Sequence, residues 1–315
     1  MTVRTMMSHT RHVRCRGVYL PAVCAALMGA AGAADVRAAS LPFNLPPLVQ
    51  GASAEHHKGK VIWVDLVTPD MARAEPFYAG LFGWKFDAVV GDPNYVIASL
   101  DGQAVGGLYQ KTPTPNQARQ PAWLTFIAAS DVDAARRLAL AHGAKLLSGP
   151  KSYPQRGRQA VFADPDGAVF AVLASSSGDP PDFLAAPGEW IWSSLLAHDV
   201  DREAAFYQTL FGYDVFDLPN DGPLEHLILS SDDFARVGVN SLPNDSARRH
   251  PHWLNFVRVL DAADTAARAA TLGGRVLVEP RLDRHGGRVA VIADPTGAPF
   301  GIMEWSQSDT QQEPK

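Results

Sequence analysis

The sequence predicts an α+β fold of four βαβββ units arranged as two tandem domains. Three observations predict it: a long internal repeat, a strand, helix and three-strand order recurring within each half, and turn residues at matching places. "FYAGLFGW" at 77–84 returns as "FYQTLFGY" at 206–213. "VIWVDLVTPD" (61–70) is echoed by "EWIWSSLLAHD" (189–199), and "PAWLTFIAASD" (121–131) by "PHWLNFVRVLD" (251–261). "GRQAVFADPDGAVFAVL" (157–173) returns as "GRVAVIADPTGAPFGIM" (287–303). The offset between copies is nearly constant, so the repeated object is a whole domain. Residues 60–175 form the first and 188–306 the second, and the Ser, Gly and Pro of 176–187 read as a linker.

Each element follows from local pattern. "VIWVDLV" is a strand, and "TPDMARAEPFYAGLFG" a helix with Thr68 as N-cap, Pro69 at its first position and Gly83 as its stop. Phe77, Tyr78 and Leu81 share one helical face, as do Phe206, Tyr207 and Leu210. Pro76 is expected to kink the helix, because it lacks an N–H and crowds the preceding turn. "WKFDAVV", "NYVIASL" and "AVGGLYQ" follow as short strands between turn residues. The second unit repeats the order: strand "WLTFIAA", helix "DVDAARRLALAHG" capped by Asp131, then "AKLLSGP", "RQAVFAD" and "AVFAVLA".

Composition bounds the function. The 315 residues, 46% hydrophobic and 19% charged, suit two globular domains. A net charge of -5 with scattered Lys and Arg argues against nucleic acid as a partner. Residues 1–39 read as an export signal. Arg4, Arg11, Arg14 and Arg16 precede the apolar run "VYLPAVCAALMGAAGAA", and Val36-Arg37-Ala38 offers a small-residue cleavage site. The run is too short and too rich in small residues to span a bilayer comfortably, so the mature chain is expected to be periplasmic or secreted, without a stable membrane span. Cys15 and Cys24 both lie in this segment, and its removal leaves no disulfide, thiolate metal site or Cys nucleophile. Residues 40–59, with three Pro, read as an exposed leader carrying a solvated His56–His57 pair, and 307–315 as a polar tail.

Four units in two pairs, the "FYxxLFG" phrase closing the first helix of each pair, and the "DPDGA" or "DPTGA" turn before each last strand resemble the vicinal oxygen chelate (VOC) superfamily. That superfamily includes glyoxalase I, extradiol dioxygenases, and the bleomycin and fosfomycin resistance proteins. The resemblance implies two glyoxalase-like domains, each an open, cup-shaped β-barrel. It also implies a divalent metal in the cup, held by imidazole or carboxylate from the first and last strands of the units. Transferred residue by residue, those positions fall on Trp63 and Trp192, on Ala171 and Gly301, near Leu124 and Leu254, and within 105–107 and 237–239. None of these side chains binds a metal, so neither a metal nor another cofactor is expected. Glu304 falls on the strand face opposite Gly301, while His198, His226 and His285 fall at a helix entrance, a hairpin and a loop.

Alternation places Trp63, Asp65 and Val67 on one strand face, and Trp192, Ser194 and Leu196 on its equivalent. A charge amid apolar residues makes Asp65 paired, mouth-exposed or a polar ligand contact. Arg158 and Arg288 stand at matching places before Asp164 and Asp294, to tie a turn carboxylate or the facing domain, or to meet an anion. His252 shares a strand face with Leu254. These seven residues (Trp63, Asp65, Trp192, Ser194, Arg158, Arg288 and His252) are the candidate ligand contacts. Trp123 and Trp253 read as packing, and no motif assigns a catalytic residue. Three functions fit: a metal-free module binding a small amphipathic molecule, a metal-dependent lyase or dioxygenase with non-standard ligands, and a structural or interaction protein with degenerate sites. The first is expected, in a chain that can remain a monomer through intrachain domain pairing.

Overall fold

A computed structural model describes residues 45–111, 121–217, 226–242, 250–283 and 287–305. The export signal (1–39), the start of the leader, His285 and the polar tail lie outside the described residues. The first domain runs β1 (Val61–Thr68), α1 (Met71–Phe82), β2 (Lys85–Val89), β3 (Asp92–Leu100), β4 (Gln103–Gln110), β5 (Ala122–Ala128), α2 (Val132–Ala141), β6 (Lys145–Tyr153), β7 (Gly157–Ala163) and β8 (Val169–Ser175). The second repeats it as β9 (Trp190–Ala197), α3 (Val200–Phe211), β10 (Asp214–Asp217), β11 (His226–Ser231), β12 (Phe234–Ser241), β13 (His252–Val259), α4 (Ala262–Thr271), β14 (Arg275–Leu282), β15 (Arg288–Ala293) and β16 (Pro299–Glu304).

Each domain is one eight-stranded sheet, in the orders β2-β3-β4-β1-β5-β8-β7-β6 and β10-β11-β12-β9-β13-β16-β15-β14. The units meet through their first strands: β1 is parallel to β4 of its own unit and antiparallel to β5 of the next. Neither sheet closes, so each is an open cup. Both central pairs carry a register shift, between Val61 and Trp63 in β1 and between Phe256 and Val257 in β13. Such a bulge bends the sheet and re-aims the tryptophan beside it.

Two details of the first helix differ from expectation. Its N-cap is Asp70, whose carboxylate accepts the Arg73 N–H, while Thr68 ends β1 and accepts from the Asp70 N–H. Asp70 immediately precedes Met71, the first of the buried face Met71, Ala74, Phe77, Tyr78 and Leu81, so packing sets the start. Pro76 does not interrupt the helix. Gly83 caps it in the left-handed region, at φ 79°, as Gly212 caps α3 at φ 73°.

The repeated phrase joins the two domains. One hydrophobic core unites Val132, Phe162 and Phe170 with Leu195, Tyr207 and Val239 of the second domain. Another unites Phe77, Tyr78 and Leu108 with Ala266, Ile292 and Phe300. Trp123 donates to the Tyr78 hydroxyl at 3.0 Å, and Tyr78 donates across the interface to Asp294 Oδ2 at 3.1 Å. The mirror chain runs from Trp253 to Tyr207 at 3.1 Å and on to Asp164 Oδ2 at 2.9 Å. In both "DPxG" turns the other oxygen, Oδ1, accepts three backbone N–H groups of its own loop. The last residue of each phrase also crosses over: Trp84 donates to the Gly188 carbonyl and Tyr213 to that of Gly59. Thr125 and Asn255 exchange hydrogen bonds where β5 meets β13.

One position breaks this symmetry. Glu203 on α3, where the first domain has Ala74, is fully buried with neither oxygen hydrogen-bonded among the described residues. Burial, and then the neighbouring Asp164, pushes its carboxyl up to about 8, and burial likewise raises Asp164. Arg202 Nε stands 3.5 Å from Glu203 Oε1.

The leader is exposed over residues 50–56, as expected, but its residues 45–49 are seated on the domain. Leu45 and Leu48 are buried, and the Leu48 and Val49 amides donate to Ser177 Oγ at 3.0 and 3.4 Å. Nor is 176–187 a free tether, because Asp182 binds both Lys60 at 2.8 Å and Arg236 of the second domain at 2.6 Å. His57, expected to be solvated, donates its backbone N–H to Asp179 and faces Asp182.

Candidate functional site

Pairing registers define two matching cups. Across β1, β5 and β8 the row is Trp63, Phe126 and Ala171; across β9, β13 and β16 it is Trp192, Phe256 and Gly301. One row along, Gly107, Asp65 and Leu124 correspond to Gly238, Ser194 and Leu254. In the outer strands Tyr95 and Tyr109 are replaced by His226 and Asn240. The intervening residues, such as Val64 and Leu66, point to the opposite face and join the helices.

The first cup is full. Asp65 Oδ1 accepts from Trp63 Nε1 and from the Tyr95 hydroxyl, both at 2.7 Å. Gly107 makes room for them, since a Cβ there would meet the Tyr95 oxygen and Asp65 Oδ1 at 2.1 and 2.4 Å. Burial raises the Asp65 carboxyl, opposed by Arg156 and by the two donors. The Arg156 guanidinium lies 4.1 Å from the centre of a Trp63 ring. Over this set the leader places Leu48 and Val49, packed with Trp63, Phe126, Ala171 and Leu173.

The second cup has the same backbone and different chemistry. Trp192 donates to Ser194 Oγ at 3.1 Å, and His226 Nδ1 pairs with the Asn240 side-chain oxygen. A Cβ on Gly238 would lie 3.2 Å from Ser194 Oγ and 3.5 Å from both His226 Cε1 and Asn240 Nδ2, so these three converge around one glycine. The Phe256 ring lies over Gly301, where even a methyl group would collide at 2.1 Å. Trp192 and Phe256 are half-buried, whereas Trp63 and Phe126 are 6% and 2% exposed.

Of the nominated residues, Trp63 and Asp65 meet in one cup and Trp192 and Ser194 in the other, with His252 at the start of β13 on the same face as Leu254. His252 Nδ1 is bonded to the His250 carbonyl. The two arginines are not cup residues. Arg158 shares its face with Ala160 and Phe162 and grips Asp133 through two hydrogen bonds, at 2.9 and 3.0 Å. Arg288 shares the helix-side face with Ala290 and Ile292 and is exposed. Both fall there because odd and even positions of a strand face opposite ways. Sequence reasoning missed Phe126 and Phe256, two positions beyond Leu124 and Leu254, which alternation could have found. It also missed Tyr95, His226 and Asn240, whose inward face depends on hairpin register, and Arg156, which lies in a turn.

At the positions where the resemblance implies metal ligands (Trp63 and Trp192, Ala171 and Gly301, Leu124 and Leu254, and 105–107 and 237–239) stand indole, aliphatic side chains and hydrogen, none of them an electron-pair donor to a hard cation. Asp65, the nearby carboxylate, is engaged by Trp63 and Tyr95. Among the described residues no group of three or more His, Cys, Asp or Glu gathers. The side chains at these positions do not fit a divalent ion.

The family model described as Glyoxalase/Bleomycin resistance protein/Dioxygenase superfamily matches residues 60–172, and the Glyoxalase-like domain model matches 193–303. A putative glyoxylase, CFP32 of Mycobacterium tuberculosis, is 31% identical over 254 residues, covering 80% of this chain and 97% of that protein. The anthracycline biosynthesis protein DnrV of Streptomyces peucetius is 34% identical over 263 residues, covering 78% and 93%. Among solved structures, the Mn(II)-bound glyoxalase from Novosphingobium aromaticivorans superposes with a TM-score of 0.56 at 19% identity, over 79% of this chain and 83% of that one. Homoprotocatechuate 2,3-dioxygenase from B. fuscum gives 0.57 at 13% identity, over 82% and 74%. Likenesses of such low identity speak for the fold alone.

Proposed function

The chain belongs to the glyoxalase/bleomycin resistance protein/dioxygenase superfamily, and on that footing we propose that it binds a small amphipathic molecule with a planar aromatic body, without a metal, in the cup of its second domain. The observation that carries this reading is the half-buried Trp192–Phe256 wall facing the polar trio around Gly238. Indole and phenyl faces stack on a planar ring system, while Ser194, His226 and Asn240 can exchange hydrogen bonds with oxygens on its edge. The relative named for anthracycline biosynthesis supports a polycyclic aromatic ligand. The basic and apolar start of the chain supports export to the periplasm or beyond, and the cores shared between its two domains support a monomeric mature protein.

Quinizarin, a planar hydroxylated anthraquinone, is a suitable probe. It is expected to quench tryptophan fluorescence of the mature protein saturably and to bind equally well after exhaustive dialysis against chelator. Stoichiometric Fe, Mn, Ni or Zn surviving dialysis, with binding lost when it is stripped, would overturn the reading in favour of a metal-dependent lyase or dioxygenase. Absence of binding across a panel of planar aromatics would favour a structural role.

A further inference from the structure

The leader that fills the first cup has the form of a ligand. Its apolar side chain, Leu48, enters a wall of Trp63, Phe126, Ala171 and Leu173, and the Pro46 carbonyl accepts from Arg156 Nε at 2.8 Å. Arg156 is 1% exposed, and its Nη2 is buried with no hydrogen-bond partner among the described residues. Nε and one terminal nitrogen form the edge of a guanidinium that a carboxylate grips with both oxygens, whereas a lone carbonyl engages only one donor. A buried, half-satisfied guanidinium is costly to maintain, so the single oxygen of Pro46 is an incomplete match to this anchor.

We propose that residues 45–49 are a removable plug, and that when it leaves, the first cup takes an apolar molecule ending in a carboxylate, anchored two-pronged on Arg156. The seat of the plug is suited to release. Residues 45–47 belong to no helix or strand, and the Leu48 and Val49 amides share one acceptor, Ser177 Oγ. Asp65 shares the field of Arg156, but its hydrogen bonds come from Trp63 and Tyr95 and leave Nη2 unmatched among the described residues. The domains differ here, because the second has Gly286 at the position matching Arg156 in the repeat. The Arg156 anchor therefore has no counterpart at the matching position of the repeat.

The test is isothermal titration of the full mature chain with 1-naphthoate, and with uncharged 1-naphthalenemethanol as control. Leu48→Asp should unseat the plug, and Ser177→Ala should loosen it with little disturbance of the core. Hydrogen exchange at the Leu48 and Val49 amides reports whether it has left. The proposal expects fast exchange in at least one variant, together with one naphthoate equivalent beyond those the wild type takes up, bound about tenfold more tightly than the alcohol. Arg156→Met in the same background should abolish that equivalent. Amides that stay protected in both variants, an emptied cup that gains no naphthoate, or an added equivalent that survives Arg156→Met would each overturn it. Trp192→Ala should leave the added equivalent intact, so failure of the second-cup reading remains distinguishable from failure of this one.

Discussion

The two cups share a backbone and differ in what fills them. Both have a tryptophan beside a bulge, a phenylalanine next to it and a glycine in the adjoining row. In the first, Asp65, Tyr95 and Arg156 form a buried polar set beneath the chain's own leader; in the second, Ser194, His226 and Asn240 line the wall. The interface between domains has instead stayed symmetric in its paired Trp–Tyr–Asp chains, with Glu203 against Ala74 as a departure. Duplication has thus preserved the joint and let the pockets diverge, because the joint is a shared core and each pocket answers only to its own contents.

That contrast can be broken most sharply by stability. Trp63→Ala removes a buried, hydrogen-bonded indole and is expected to cost roughly 3–5 kcal/mol in urea unfolding. Trp192→Ala removes a half-buried one and should cost about half as much, so equal losses would mean the cups are equally filled. The joint should behave the opposite way. Tyr78→Phe and Tyr207→Phe each strand a buried indole N–H and a carboxylate oxygen, and each should cost about 1–3 kcal/mol, by similar amounts in the two domains.

Glu203 offers a finer probe. Its folded pKa of about 8 lies above the ordinary 4.5, so the folded chain holds its proton more tightly than the unfolded chain does. Its contribution to stability is intact below pH 4.5 and is lost as pH rises towards and through 8. Glu203→Ala, which installs the residue the first domain has, should flatten unfolding free energy against pH across that window. The smallest effect belongs to Arg158→Ala: its ion pair with Asp133 is exposed, so ligand binding should not change and stability only slightly.

Much of this was legible in the sequence. The repeat showed two tandem domains, and alternation put Trp63 with Asp65 and Trp192 with Ser194 on one face each because they sit on central strands. Arg158 ties a carboxylate, that of Asp133 rather than of the turn, and the matched position of Arg158 and Arg288 in the two copies marks shared structure on the helix side of the sheet. Tyr95, His226 and Asn240 stayed hidden because hairpin register sets their facing, and register depends on pairing across the sheet. The plug was the least legible. Pro-rich and without periodicity, residues 45–49 carry the composition of a tether, and only the cup beneath them reveals their partner.

The most direct test is the stoichiometry of quinizarin on the mature chain, measured by isothermal titration for the wild type and Trp192→Ala. The second-cup assignment predicts one equivalent on the wild type and at least a tenfold loss of affinity in the variant. Two equivalents on the wild type, or one that Trp192→Ala leaves unchanged, would contradict it.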